Sequence, residues 1–367
     1  MKKIDILRDT ILLTVSGSRA YGIHTETSDL DVRGVMLPPD DYYRGLLQLE
    51  QVTDKNVIAE FLPKLSPYLQ QIARTNGMEG TVYELHKFLK LASEGNPNIL
   101  DALFCRQEDI LWIGNNGRLL REYRGKFLTK KCLFTFFGYA RQQMDRIQTH
   151  RAYLLDPPTH QPTREEFGLP VRHEFPQDQV NAAMAMIKQK VDSWNIDFVD
   201  VDEATKIFIQ DQMYKMLADM HMGSDERFQA AARLLGYDTN FMEFIVQQRN
   251  YTAALCRWNS YQKWLLERNK DRAGMEKTIG YDCKHGVHLA RLVIACRSIF
   301  ETGDLCVYNP DPWLVSIRAG KVPFAELQAW YAEQHAGLAE LAAKSSLPAR
   351  VDQEWLHELA LALHRYR

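Results

Sequence analysis

The chain has 367 residues, 46% hydrophobic and 25% charged, and its 45 Lys and Arg nearly balance 47 Asp and Glu to leave a net charge of −2. That length suits about two domains, or one domain with a long extension, and the composition is that of an ordinary globular protein. No apolar run reaches the roughly 20 residues that a membrane span needs, the opening MKKIDILRDT lacks the apolar core of a secretory signal, and balanced charge gives no global attraction for nucleic acid. A cytoplasmic protein with no membrane partner is expected, and any nucleic-acid site must be a local patch. Cys105, Cys132, Cys256, Cys283, Cys296 and Cys306 are scattered with no C-x-x-C pair, which favours reduced thiols over a disulfide frame. Cys283, His285 and His288 in CKHGVH lack the second ligand pair of a zinc finger, so zinc is not expected there.

In chain order, residues 11–16 (ILLTVS) and 30–37 (LDVRGVML) are short, apolar or β-branched, and bounded by Gly, Ser or Pro, so both predict strands. On the second, Leu30 and Val32 take the core face, and Asp29, Asp31 and Arg33 take the other. VIAEF at 57–61 and TVY at 81–83 are candidate further strands. At 84–95 the period turns helical, with Leu85, Phe88, Leu89 and Ala92 on one stripe and Gly95 closing it. No convincing strand follows residue 105. Helical patterns recur at 131–154, 179–194, 203–221, 225–235, 240–269, 283–301, 323–345 and 351–366, interrupted at 156–178 by a loop with five prolines. The expectation is an α+β chain: a small mixed-sheet domain at 1–105 and a larger all-α domain at 106–367 that covers the active site and carries the Pro-rich loop.

Asp29 and Asp31 sit one residue apart on a predicted strand, so their carboxylates leave the same face with Cα atoms roughly 6.5–7 Å apart. Two such groups repel unless a cation lies between them. Mg²⁺ or Mn²⁺, in a pair of ions, suits all-oxygen ligands and leaves positions open for phosphates. Gly17 and Ser18, at the exit of the preceding strand, offer backbone N–H groups and a hydroxyl, and glycine permits close approach of a phosphate. Arg19 and Arg33 flank the acids, either to neutralise phosphate or to brace the aspartates. Further on, Asp282 is a natural N-cap. In the helix that it opens, Lys284, His288 and Arg291 fall at i, i+4 and i+7 as a cationic stripe suited to a triphosphate or an RNA backbone, while Leu289, Leu292, Val293, Cys296 and Phe300 form the apolar face. The run RLLREYRGKFLTKK is basic from Arg118 to Lys131 with Tyr123 and Phe127 interleaved, and reads first as a solvated face and second as a nucleic-acid track.

The Gly-Ser turn and the following Asp-x-Asp strand resemble the signature of the DNA polymerase β superfamily of nucleotidyltransferases. The stretches GSRAYGIHTETSDLDVRGV, EGTVYELHKFLKLASEGNPNILDALF, FGYARQQMDRI, PTREEFGLP and GYDCKHGVHLARL resemble, within it, the RNA ligase-associated (RlaP-type) predicted nucleotidyltransferases. The resemblance implies that Gly17 and Ser18 hold a triphosphate and that Asp29 and Asp31 bind both metals. It also implies a third carboxylate from a later strand, which Glu79 matches, with Glu84 the alternative. An NTP substrate and transfer of NMP to an acceptor hydroxyl follow, the acceptor being an RNA end. A protein acceptor and a non-catalytic nucleotide or RNA sensor are the alternatives.

Overall fold

The structure is a computed structural model that describes residues 4–44, 46–171, 176–192, 232–233, 235–237, 239–268 and 270–365. The chain divides into two compact units, Met1–Arg151 with Gly274–Arg367, and Ala152–Ala273. No helix among the described residues is long and apolar enough to cross a membrane.

The first unit is built on a mixed sheet of five strands, β1 (Thr10–Val15), β2 (Leu30–Met36), β3 (Gln51–Val52), β4 (Met78–Glu84) and β5 (Ile110–Ile113), in the order β3-β4-β2-β1-β5. β2 and β4 run parallel, and the other pairs are antiparallel. β1, TILLTV, is buried along its whole length because both faces of the sheet are covered. β2 alternates as its sequence predicts: Leu30 and Val32 are buried, while Asp31 and Arg33 are half-buried.

Two readings of the sequence need correction. Residues 57–61 are not a strand. Asp54 accepts from the Asn56 N–H at 2.8 Å and caps a short helix, α2 (Lys55–Ile58, numbered after the turn α1, Gly17–Ala20), which runs on as a 3₁₀ turn through Lys64. Ile58 and Phe61, three residues apart, are the buried pair, a helical spacing too brief to tell from a strand in so short a run. The strands also do not end before residue 105. ILWI at 110–113 is β5, paired to β1, with Trp112 Nε1 donating to the Thr10 carbonyl at 3.0 Å. The sheet therefore extends past the boundary expected at 105.

Around the sheet lie α3 (Pro67–Asn76), α4 (Leu85–Ser93), α5 (Pro97–Phe104), α6 (Asn115–Glu122) and the long α7 (Lys131–Leu155), and from the C-terminal part α8 (Cys283–Thr302), α9 (Pro312–Arg318), α10 (Phe324–Lys344) and α11 (Gln353–Arg365). Their ends follow local chemistry. Asn96 caps α5 with Pro97 as its first residue. Asp282 caps α8 by accepting from the Lys284 N–H at 2.8 Å, and Gly303, at φ +72°, ends it. Leu289, Leu292, Val293, Cys296 and Phe300 of α8 are buried in a core continuous with that of the sheet.

In the second unit the helices Gln177–Asp192 and Thr239–Glu267 share a small core with Leu169, Val180, Ile187 and Ile245. Part of the Pro-rich stretch is fixed within it: Arg164 donates to the Pro170 carbonyl at 2.8 Å and to Gln248 at 3.0 Å. The helix expected at 203–221, and most of the one expected at 225–235, lie outside the described residues.

Glu84 ends β4 and starts α4. It accepts from the N–H groups of His86 (2.8 Å) and Lys87 (2.9 Å) and from the Tyr43 hydroxyl (2.7 Å). Glu84→Ala removes the cap and the bond from the Tyr43 hydroxyl, and is expected to cost about 1–3 kcal/mol in urea unfolding followed by circular dichroism.

Candidate active site

The chain leaves β1 through Ser16, whose N–H donates to the Asp31 carbonyl at 2.8 Å. Gly17 then turns with φ +65°, the left-handed region that disfavours a side chain. A Cβ there would run into the Asp31 carboxylate, so the Gly17–Ser18 backbone and that carboxylate lie in direct apposition. Glycine is required at this point by contact as well as by φ.

Asp31 stands opposite Glu79 in the parallel β2–β4 register. Burial raises the Asp31 carboxyl above its ordinary range, and the charges of Asp29 and, more weakly, Glu79 add to the shift, while Lys284 and Arg33 oppose it. These five groups thus share one electrostatic neighbourhood. Of the two candidates for a third carboxylate, Glu84 is committed to the cap of α4 at the other end of the strand, and Glu79 is the one beside Asp31. Its carboxylate accepts from Lys55 Nζ at 2.6 Å. Sequence reasoning missed Lys55, which lies in the segment misread as the approach to a strand.

The fit to a divalent cation is a matter of donor chemistry. Asp29 and Asp31 are hard oxygen donors whose mutual repulsion a cation relieves, and Glu79 adds a third in register. Among the described residues, no group of three or more Asp, Glu, His or Cys side chains converges at metal-binding distance, and Glu79 is turned to Lys55.

The predicted cations separate into distinct environments. Arg19 is buried and donates to the carbonyls of Asp29 (2.9 Å) and Ser28 (2.5 Å), so it braces the entry to β2. Arg33 donates to the Asn98 carbonyl at 3.0 Å. On α8, Lys284 is exposed and acts on Asp31. His288 is half-buried, and burial, reinforced by the Arg291 charge, pushes its pKa down to about 3, so it is neutral at physiological pH. His285, lowered to about 4 mainly by burial, pairs through Nδ1 with Gln143 Oε1 at 2.8 Å. Arg291 is buried, donates to Asp101 at 2.9 Å and lies 3.9 Å from the centre of the Tyr21 ring. Tyr21 in turn donates to the same Asp101 oxygen at 2.8 Å. The stripe read from the sequence is therefore one exposed cation, one neutral imidazole and one buried ion pair. Arg291 acts through Tyr21 on the turn that follows Ser18.

Other contacts to this turn were not legible in the sequence. The Asn309 N–H donates to the Tyr21 carbonyl at 3.3 Å, a Cβ on Gly22 would meet the Tyr308 ring, and Arg318 donates to the Ser28 hydroxyl at 3.3 Å. In the basic run at 118–131, Arg118, Tyr123 and Lys126 are exposed, and several of its side chains make contacts within the fold. Arg121 donates to the Cys105 carbonyl at 2.7 Å, Lys131 pairs with Glu94, Lys126 lies 4.8 Å from the Trp355 ring centre, and Tyr123 and Phe127 pack on the same Trp355.

The small mixed sheet thus carries a Gly-Ser turn at the end of β1, with Asp31 of the neighbouring β2 pressed against that turn. Residues 5–155 match the model of the RlaP family, described as the RNA repair pathway DNA polymerase beta family. The family implies nucleotidyltransferase activity in general terms. The chain is also 22% identical over 369 positions to a protein of Enterobacteria phage T4 named "Uncharacterized 38.9 kDa protein in nrdC-mobD intergenic region", an alignment that covers 97% of this chain and 98% of that protein. No solved structure matches.

The raised Asp31 has a consequence for stability. An acid whose folded pKa lies above its unfolded value binds more protons when folded, so its contribution falls as pH rises through the ordinary carboxylate range and stays lost above the raised value. In EDTA, Asp31→Asn should therefore raise the melting temperature at pH 7, and the gain should shrink below about pH 4; scanning calorimetry of both proteins across pH reads this directly. Arg291→Ala has the opposite sign. It leaves Asp101 buried without its cation and should cost about 3–5 kcal/mol in chemical unfolding.

Proposed function

We propose that the protein is a metal-dependent nucleotidyltransferase that moves NMP from an NTP to an acceptor hydroxyl, and that the acceptor is an RNA end. The observation that carries this reading is the apposition of the Gly17–Ser18 backbone with Asp31, with Asp29 and Glu79 on the same electrostatic face and Lys284 acting from α8. Asp29 and Asp31, with Glu79, would hold a pair of Mg²⁺ or Mn²⁺ ions, which when bound supply the positive charge that the phosphates and the attacking oxygen need.

The chain's own groups have distinct tasks. Gly17 clears room for a phosphate beside Asp31, and the Ser18 hydroxyl and backbone contact the triphosphate. Lys284 offers an exposed ammonium to its outer phosphates. His288, kept neutral, adds no charge of its own to the site. The acceptor hydroxyl gives up its proton to solvent water as its oxygen attacks the α-phosphorus, a new P–O bond forms, the bond to the β-phosphate bridging oxygen breaks, and pyrophosphate leaves with the electron pair. An RNA acceptor is supported by the family's description as belonging to an RNA repair pathway.

Incubation with Mg²⁺ or Mn²⁺, each α-³²P-labelled NTP and short RNAs is expected to place label in RNA. Asp29→Asn and Asp31→Asn should abolish it with the fold intact by melting. Lys284→Ala should raise KM for NTP by an amount worth about 1.5–3 kcal/mol, the scale of a charge-assisted hydrogen bond. Label in protein would replace the RNA acceptor with a protein one. An active Asp31→Asn enzyme would sink the mechanism.

A further inference from the structure

We propose that His86 and His364 form a binding site for a borderline transition-metal dication, Zn²⁺ or Ni²⁺, on the surface of the first unit and separate from the carboxylate site. The two imidazoles come from opposite ends of the chain: His86 from the first turn of α4, and His364 from the last turn of α11. Their Nε2 atoms are 3.1 Å apart, with ring centres 5.1 Å apart and planes at 49°. With metal–nitrogen bonds of about 2.0–2.1 Å, two nitrogens on one ion stand about 2.9 Å apart at a right angle and about 3.4 Å apart at the tetrahedral angle. The observed spacing falls between the two.

The groups around the pair favour the same occupant. Tyr43 packs edge-on against both rings, with centres 5.0 Å from His86 and 4.8 Å from His364, and so limits their rotation. Its hydroxyl donates to Glu84 Oε1 at 2.7 Å, and that oxygen is 3.8 Å from His86 Nδ1. The His86 side chain is 53% exposed, so an ion reaches it and keeps water as its remaining ligands. Imidazole donors select Zn²⁺ or Ni²⁺ over Mg²⁺, so the ion proposed for catalysis does not compete here. A bound ion would tie α11 to the start of α4, and thereby the end of the chain to β4.

Without metal, the same two nitrogens share one proton as a plain hydrogen bond, and the two readings part when metal is added. Untagged protein freed of metal by EDTA and dialysed is titrated with ZnCl₂ by calorimetry and, with NiCl₂, by histidine-selective NMR, in an Asp29→Asn/Asp31→Asn background that removes the carboxylate site. A single equivalent should bind, the His86 and His364 ring signals should broaden selectively with Ni²⁺, and the melting temperature should rise with Zn²⁺ but not with Mg²⁺. His86→Gln and His364→Gln, each checked by melting, should weaken binding about tenfold or more. Affinity unchanged in both variants, or no heat and no broadening at millimolar metal, overturns the site. Because the background is catalytically dead, neither result depends on the nucleotidyltransferase reading.

Discussion

A guanidinium deprived of water must find its partners inside the protein, and in this fold that requirement joins the two ends of the first unit. Arg291 of α8 is buried with Asp101 of α5 and lies flat on Tyr21, which hangs from the turn beside Asp31. The pair is not fully satisfied: Arg291 Nε and Nη2 and the second Asp101 oxygen have no hydrogen-bond partner among the described residues. Such a pair adds little net stability over an apolar filling but is costly to break, so it specifies one arrangement of the turn more than it strengthens the fold. Lys284 owes its place to the same constraint. It lies two turns earlier on the helix that Arg291 anchors.

The site around that turn is organised by unequal solvation of like groups. Three carboxylates share a face, and two cations act on Asp31 from different elements, Arg33 on its own strand and Lys284 on α8. The imidazole that follows Lys284 along the helix is held neutral by burial and by its cationic neighbours. Positive charge near the acids is thus confined to groups that are exposed or bonded to backbone, and burial and the neighbouring acids disfavour the charged form of Asp31. A divalent ion or a polyphosphate entering this field meets groups whose charges are incompletely compensated.

Local patterns were readable wherever one short window held the whole cause. β1, β2 and α4 follow from runs of apolar residues at strand or helix period, and the cap Asp282 from a single side chain placed before a helix. Asp29, Asp31 and the Gly-Ser turn were visible for the same reason. Segments of four or five residues defeated the period test: VIAEF satisfies a strand as well as a helix, and ILWI is a strand only because β1 lies open beside it. Pairings across long separations left no local trace. Nothing near Arg291 announces Asp101, nothing near Lys55 announces Glu79, and a stripe at i, i+4 and i+7 says where side chains sit on a helix but not which of them a neighbour will bury.

The first unit is discontinuous, since residues 152–273 intervene between its two parts. For a chain made in one direction this sets an order in time. Asp101 and Tyr21 emerge early, while their cation follows Asp101 by 190 residues. At about 5–20 residues per second the wait is roughly 10–40 s. During that interval Asp101 and the turn beside Asp31 remain hydrated and loosely held, and the geometry of that turn is set only when α8 arrives. The N-terminal part of the first unit is in this sense left unfinished until α8 has been made.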